Sequence, residues 1–202
     1  MIYGLVLIVI SLFIWGCAQN MKQPENSSDQ ALLHMAKGFS DNDQSVIDEV
    51  ELFLKNKNNY FNSYENDLVQ RGIEDPSEIT KPIVLIDALV KSNKLVYQDG
   101  SSNPSDTILL LDKLSGNEIS KNECYKQLES YYSNAEFGIG TYLGQKGDWP
   151  SIFECAQTAG FKLLAIDEDS DALALVLVKL NDISVVLNTA KQANINLWFT
   201  NQ

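Results

Sequence analysis

Apolar positions along the first half of the chain recur at the spacing of α-helices. They fall about three or four residues apart between Asp43 and Lys55, and again between Tyr60 and Gly72, which predicts two amphipathic helices. Residues 56–59 are polar and separate the two stripes. We interpret this arrangement as a helical hairpin; the alternative is one long helix that is weakened at its middle.

Residues that start and stop helices predict further boundaries. Ser27 has capping-box spacing before an apolar segment, and Gly38 is expected to end that helix. A buried helix is predicted after Pro82, and Asn93 can end it because asparagine tolerates the left-handed conformation. Ser120 begins a second capping box and predicts another helix N-terminus.

Two apolar runs near the C-terminus, Leu163–Ile166 and Ala172–Val178, flank an acidic turn and predict an antiparallel hairpin. The second run has no polar side chain, so we expect a central strand that is covered on both faces. Leu95–Gln98 and Ile195–Phe199 are predicted to add strands. The predicted fold class is α+β, in which a helix-rich N-terminal half packs with a small mixed sheet built on the hairpin 161–178.

The N-terminal segment is apolar from Ile2 to Trp15 and ends at Gly16-Cys17. Ile14-Trp15-Gly16-Cys17 resembles the lipobox of bacterial lipoproteins, although Trp15 is bulkier than that family's usual residue. The resemblance implies cleavage before Cys17 and lipidation of its thiol. The expected organisation is a signal peptide over 1–17, a flexible tether over 18–28 and one domain over 29–202. An uncleaved membrane anchor and a buried helix are the alternatives.

The chain has 202 residues, a hydrophobic fraction of 45% and a formal net charge of -12. Such a surface repels phosphate backbones, so we expect no nucleic-acid partner. Solubility is the favoured interpretation of the negative charge, and a basic protein partner or a cation is the alternative. The cysteines are Cys17, Cys124 and Cys155, and the single histidine is His34. Their spacing matches no zinc or haem motif, so we expect no cofactor. Outside the cytoplasm Cys124 and Cys155 can form a disulfide; buried free thiols are the alternative.

Acidic residues in the predicted hairpin turn are one candidate site. Asp167, Asp169 and Asp171 copy the first three alternate ligand positions of a calcium-binding loop, but Ala172 and Val178 replace the glycine and glutamate that such a loop needs. A solvated turn is the favoured interpretation. A carboxylate pair for hydrolysis is a further hypothesis. Its two members would come from Asp99, Asp167 and Asp171, which could lie near one another at sheet ends.

An aromatic group is the other candidate site. Tyr131, Tyr132, Tyr142 and Trp149 span a predicted helix and a glycine-containing loop, and such residues are enriched at protein interfaces. We therefore expect a membrane-tethered envelope lipoprotein with a non-catalytic binding role, of which an immunity-type protein is a narrower form. The alternative is an envelope hydrolase that uses paired carboxylates.

The order of apolar segments also resembles that of a protein family. From Pro82 to Phe199, the chain is similar to an uncharacterised bacterial domain-of-unknown-function family, and the hairpin Leu163–Val178 is part of the matching pattern. The resemblance implies neither an activity nor site residues.

Overall fold

The computed structural model describes residues 27–98, 103–132 and 151–198. Within these ranges the chain forms eight α-helices and four strands, with single turns of 3-10 helix at Pro76–Glu78 and Leu180–Asp182. The helices are α1 (Ser27–Ser40), α2 (Gln44–Lys55), α3 (Lys57–Gln70), α4 (Lys81–Lys91), α5 (Pro104–Leu114), α6 (Glu123–Tyr132), α7 (Ile152–Thr158) and α8 (Ile183–Ala193). The strands are β1 (Val96–Gln98), β2 (Phe161–Ile166), β3 (Leu173–Lys179) and β4 (Leu197–Trp198).

The four strands form one sheet in the order β1-β3-β2-β4. Leu164 lies opposite Val176 in the hairpin, and β1 and β4 extend the sheet on either side. The predicted α+β class and the central position of the second apolar run are confirmed. The expectation of a mixed sheet is wrong for the described strands, because each pair is antiparallel.

Alternation along β2 and β3 divides the apolar side chains between two cores. Leu164 and Val176 pack on one face against helices α1–α4 and α8. Leu163 and Leu175 pack on the opposite face against α5, α6 and α7. The described part of the chain is therefore layered as helix, sheet and helix, which explains why β3 carries no polar side chain before Lys179.

Asparagine residues end or begin several helices as their chemistry predicts. Asn56 has extended backbone angles, ends α2, and accepts a hydrogen bond from the backbone N–H of Asn59 at the start of α3. The predicted break between the two helices is therefore confirmed. Asn93 and Asn194 follow α4 and α8 with φ values of 53° and 58°, in the left-handed region.

Two predicted helix boundaries are wrong. Helix α1 continues through Gly38 to Ser40, and the chain turns only at Asp41 and Asn42, whose φ values are 56° and 62°. Its first residue, Ser27, lies inside the segment that was expected to be a tether. Ser120 does not cap α6, because its hydroxyl donates to the carbonyl of Asn117 and the helix begins at Glu123.

Candidate functional site

A groove with a volume of about 660 Å³ lies between several elements of the described chain. It is lined by α1 and the turn after it, by Asn93 and Lys94 after α4, and by the C-terminal end of α5. The end of β3 and the first turns of α8 complete the lining. Segments that are distant in sequence therefore meet here, because α1, the residues after α4 and the end of α5 join the continuous stretch that runs from the end of β3 into α8.

Apolar side chains form much of the groove surface. Met35 and Phe39 of α1, Leu177 of β3 and Val185 of α8 all line it. Val185 is 56% exposed, the largest exposed fraction of any large apolar side chain in the described ranges. The groove thus keeps apolar surface in contact with solvent, at a cost of roughly 25 cal/mol per Å² relative to covering it.

Gly38 contributes open space to the same groove. It lies inside α1, where glycine is about 1 kcal/mol less favourable than alanine. A Cβ atom added at this position has no heavy atom within 4 Å. No steric conflict therefore requires glycine here, and a larger side chain at position 38 would occupy the groove.

Charged groups lie around the apolar surface. Lys94 forms an ion pair with Asp41, with Nζ 2.9 Å from Oδ2. Lys113 and Lys179 also line the groove, and neither makes an ion pair with any residue that the structure describes. His34 lies on the exposed side of α1 next to this surface.

The groove has the size and mixed lining of a small-molecule binding site. Ligand pockets usually occupy about 300–1,000 Å³ and combine an apolar surface with a few polar groups. Sequence reasoning missed this site because its residues lie on four separate elements. The signal that was available was Gly38, a glycine within an otherwise regular helical pattern.

A second polar cluster connects the sheet to the helices. The guanidinium of Arg71, after α3, donates to the carboxylates of Asp87 in α4 and Glu168 in the hairpin turn. The hydroxyl of Tyr97 also donates to Glu168, and its ring centroid lies 5.6 Å from the Arg71 guanidinium carbon. The cluster joins the β2–β3 turn to α3 and α4, which is a structural role.

Burial governs the protonation of this cluster. It raises the pKa of Asp87 to about 6, and the positive charges of Arg71 and Lys91 only partly oppose the shift. Burial acts to lower the pKa of Arg71, but Asp87 and Glu168 outweigh it and the net shift is upward. Arg71 therefore stays protonated and stabilises the nearby carboxylates.

The predicted acidic site is a turn in the structure. Asp167 accepts a hydrogen bond from the backbone N–H of Asp169 at 3.0 Å, and Asp169 has a φ of 67°. Asp171 is exposed. In the part of the chain that is described, no group of three or more His, Cys, Asp or Glu residues is placed to hold a metal ion. Glu168 contacts Arg71 and Tyr97 from this turn, and the backbone N–H of Asp167 donates to the carbonyl of Asn196.

The predicted aromatic face is only partly visible. Tyr131 is half-buried and packs against the core formed by α5–α7. The side chain of Tyr132 and residues Tyr142 and Trp149 lie outside the described residues, as do Cys17 and Asp99. Of the two alternatives for the other cysteines, the structure has the disulfide: Cys124 of α6 is bonded to Cys155 of α7, with Cα atoms 5.4 Å apart.

Comparison with protein families places the chain in one of them. The family described as Domain of unknown function (DUF6630) matches residues 31–200. The chain belongs to the DUF6630 family. The match begins in α1 and therefore includes both helical layers as well as the sheet. No curated protein and no solved structure matches this DUF6630 chain. Across the described ranges, no helix combines the length and apolar character needed to cross a bilayer.

Proposed function

We propose that this DUF6630 protein is a lipid-anchored protein of the bacterial cell envelope with a binding role and no catalytic one. The anchor would be Cys17, at the end of the lipobox-like sequence Ile14-Trp15-Gly16-Cys17. The domain would then face the periplasm or the exterior. The groove beside α1 would be the binding site.

The disulfide is the observation that supports export. Disulfides persist in oxidising compartments and are rare in the reducing cytosol of most organisms. Cys124 and Cys155 join two helices of one layer, and Cys155 is fully buried. A bond inside the core is a structural disulfide, which fits a domain that folds after leaving the cytosol.

The groove is the observation that supports a binding role. It offers exposed apolar surface at Val185 and the ammonium groups of Lys113 and Lys179, which make no ion pair within the described ranges, beside open space at Gly38. A ligand that covered Val185 would remove apolar surface from water and gain stabilisation.

The observed contacts of the carboxylates favour binding over hydrolysis. Asp87 and Glu168 approach the same guanidinium, that of Arg71, which neutralises them. Asp167 accepts the turn hydrogen bond from Asp169. These carboxylates already have structural partners, whereas a glycosidase needs a pair that flanks its substrate.

A basic protein is a second class of partner that the charge supports. The formal net charge of -12 would speed association with a cationic protein and make it dependent on salt. An immunity-type role is the narrower form of this proposal. Co-purification of a basic partner that is lost in high salt would support it, whereas salt-independent capture would contradict the electrostatic basis.

Mass spectrometry of the membrane fraction tests the anchor. We expect a mature N-terminus at Cys17 that carries diacylglycerol and an acyl chain, and we expect a Cys17→Ser variant to retain its leader. Cys124→Ser/Cys155→Ser serves as the matched control, because it changes thiols without touching the lipobox. Recovery of the full-length chain from Met1 in the cytosol would contradict the proposal.

A further inference from the structure

We infer that the groove binds a small amphiphilic anion, with an apolar body that ends in one carboxylate or phosphate group. This inference rests on the proposed binding function and names the ligand class of that same site. Three features of the groove support it: space, apolar surface and the charge at its margin.

Space is available at the centre of the α1 wall. Gly38 lies in the groove, and a Cβ atom built there has no heavy atom within 4 Å. Alanine would stabilise the helix without a clash, so local packing does not explain the glycine. An occupant of the groove does explain it, because a side chain at this position would take up part of the occupant's volume.

Apolar side chains from two helices line the same space. Phe39 and Met35 belong to α1, and Val185 belongs to α8. Val185 lines this groove, whose volume is about 660 Å³, and is 56% exposed to solvent. The body of the ligand is therefore assigned to this surface, where covering Val185 removes apolar area from water.

Charge at the margin selects the sign of the ligand's polar end. Lys94 is already paired with Asp41. Of the remaining charged residues in the lining, the two lysines Lys113 and Lys179 outnumber the one carboxylate, Asp182, and none of the three has an ion pair with a described residue. Lys179 ends β3 and is exposed, so its ammonium can turn toward a bound anion. Because lysine acts as a point charge, it attracts carboxylate and phosphate alike.

The test uses the full-length protein in lipid nanodiscs, with empty nanodiscs to subtract partitioning of the probe. Ligand-observed NMR titrations compare 4-phenylbutyrate and 2-phenylethyl phosphate with 4-phenylbutylamine and 4-phenylbutanol. We expect the two anions to bind at least about tenfold more tightly than the amine and the alcohol, because about 1.4 kcal/mol of charge attraction corresponds to a factor of ten. The stronger of the two anions identifies the polar group.

Variants locate the site. The double variant Lys113→Gln/Lys179→Gln should weaken anion binding at least about tenfold. Lys191→Gln is the matched control, because Lys191 lies on α8 outside the groove lining, and it should leave binding unchanged. Gly38→Leu should abolish binding and Gly38→Ala should weaken it by a smaller factor, because the alanine methyl takes up less of the occupant's volume, while melting temperatures confirm that all variants fold. Should Gly38→Leu fail to fold, the lysine pair decides the question alone.

Several results would overturn the inference. Equal binding of the amine and the anions would contradict the inference that the ligand is an anion. If Gly38→Leu abolished the binding of both, the groove would still be a binding site and the proposed binding function would stand. Anion binding that neither Gly38→Leu nor the lysine pair affects would place the site elsewhere. No binding of any probe would contradict the groove as a ligand site, independently of the result for lipidation at Cys17.

Discussion

The hydroxyl of Tyr60 donates a hydrogen bond to the carboxylate of Glu49 at 3.1 Å, and both side chains are buried. Lys91 donates to the same carboxylate oxygen at 2.9 Å, and its ammonium lies 3.6 Å from the ring centroid of Tyr64. Helices α2, α3 and α4 are thus held together by a polar group inside an otherwise apolar layer. Burial raises the pKa of Tyr60, and the negative charge of Glu49 raises it further, so the hydroxyl remains a donor.

Loss of the Tyr60 hydroxyl should therefore destabilise the domain. We expect Tyr60→Phe to lower the free energy of unfolding by about 1–3 kcal/mol, because a buried charged acceptor loses one of its donors. Urea denaturation measures the change. Glu51→Gln alters an exposed carboxylate on α2, the helix of Glu49, and should change the free energy by less than about 0.5 kcal/mol. Equal effects of the two variants would contradict this account.

Asp87 should make stability depend on pH. Burial raises its pKa from 3.8 to about 6, so between these values the folded state binds more protons than the unfolded state. Stability from this group is therefore complete below about pH 4 and is lost as pH rises through about 6. Asp87→Asn has no carboxyl at this position and should lack this pH dependence. Between pH 4 and 7 the free energy of unfolding of the wild type should therefore fall by up to about 3 kcal/mol relative to that of the variant.

Denaturation of both proteins at a series of pH values measures that difference. The groups that face Asp87 are Arg71, Lys91, Glu49 and Glu168, and none of them is removed in the variant. Arg71 stays charged across the range, since the net shift of its pKa is upward. Parallel pH profiles for the wild type and Asp87→Asn would show that the carboxyl has no raised pKa.

Within the cluster of Arg71, Asp87, Tyr97 and Glu168, we expect substitution of Arg71 to reduce stability the most. Arg71→Met would leave Asp87 and Glu168 without their counter-charge, and Glu168 has a side chain that is only 3% exposed. We expect a loss of about 2–4 kcal/mol, because an uncompensated buried charge is costly. Adding Glu168→Gln should recover part of it.

An exposed ion pair provides the control for Arg71. Lys126 and Glu123 form an i,i+3 pair with side chains 67% and 71% exposed. Lys126→Ala should change the free energy of unfolding by less than about 1 kcal/mol. No recovery on addition of Glu168→Gln would indicate that Arg71 acts through packing and not through charge.

Asn56 should be important for both helices that it separates. Its side-chain oxygen accepts from the backbone N–H of Asn59 at 3.0 Å, and its own N–H donates to the carbonyl of Leu52. Alanine would retain the second bond and lose the first. We expect Asn56→Ala to cost about 1 kcal/mol in urea denaturation, and Asn56→Asp, which keeps an acceptor, to cost much less.

Features of the fold that depend on neighbouring residues were predictable, and those that depend on distant residues were not. Asn93 was recognisable because tolerance of the left-handed conformation is a property of the residue itself. Gly38 was misread because the same local rule ignores the turn at Asp41 and Asn42, which ends the helix instead.

Long-range contacts explain the missed sites. Arg71 and Glu168 are separated by 97 residues, and no periodicity connects them. The groove likewise needs α1, α5, β3 and α8 to meet before it exists. The two faces of the hairpin were inferable from its lack of polar residues, whereas the helices that cover each face were not.

The Cys124–Cys155 disulfide should make a measurable contribution to stability. It closes a loop with a sequence separation of 31, and restricting the unfolded chain in this way is worth about 3–4 kcal/mol. We expect Cys124→Ala/Cys155→Ala to lower the free energy of unfolding by about that amount in urea denaturation. Reductant should destabilise the wild type toward the same value and leave the variant unchanged.

Cys17→Ser provides the matched control, because it removes a cysteine that is not part of the bond. Its stability should equal that of the wild type and should fall equally on addition of reductant. Alkylation of unfolded protein without reductant should label neither Cys124 nor Cys155, since both sulfurs are in the disulfide. Labelling of both, in protein taken directly from the envelope, would mean that the bond does not form where the domain resides and would remove the main support for export.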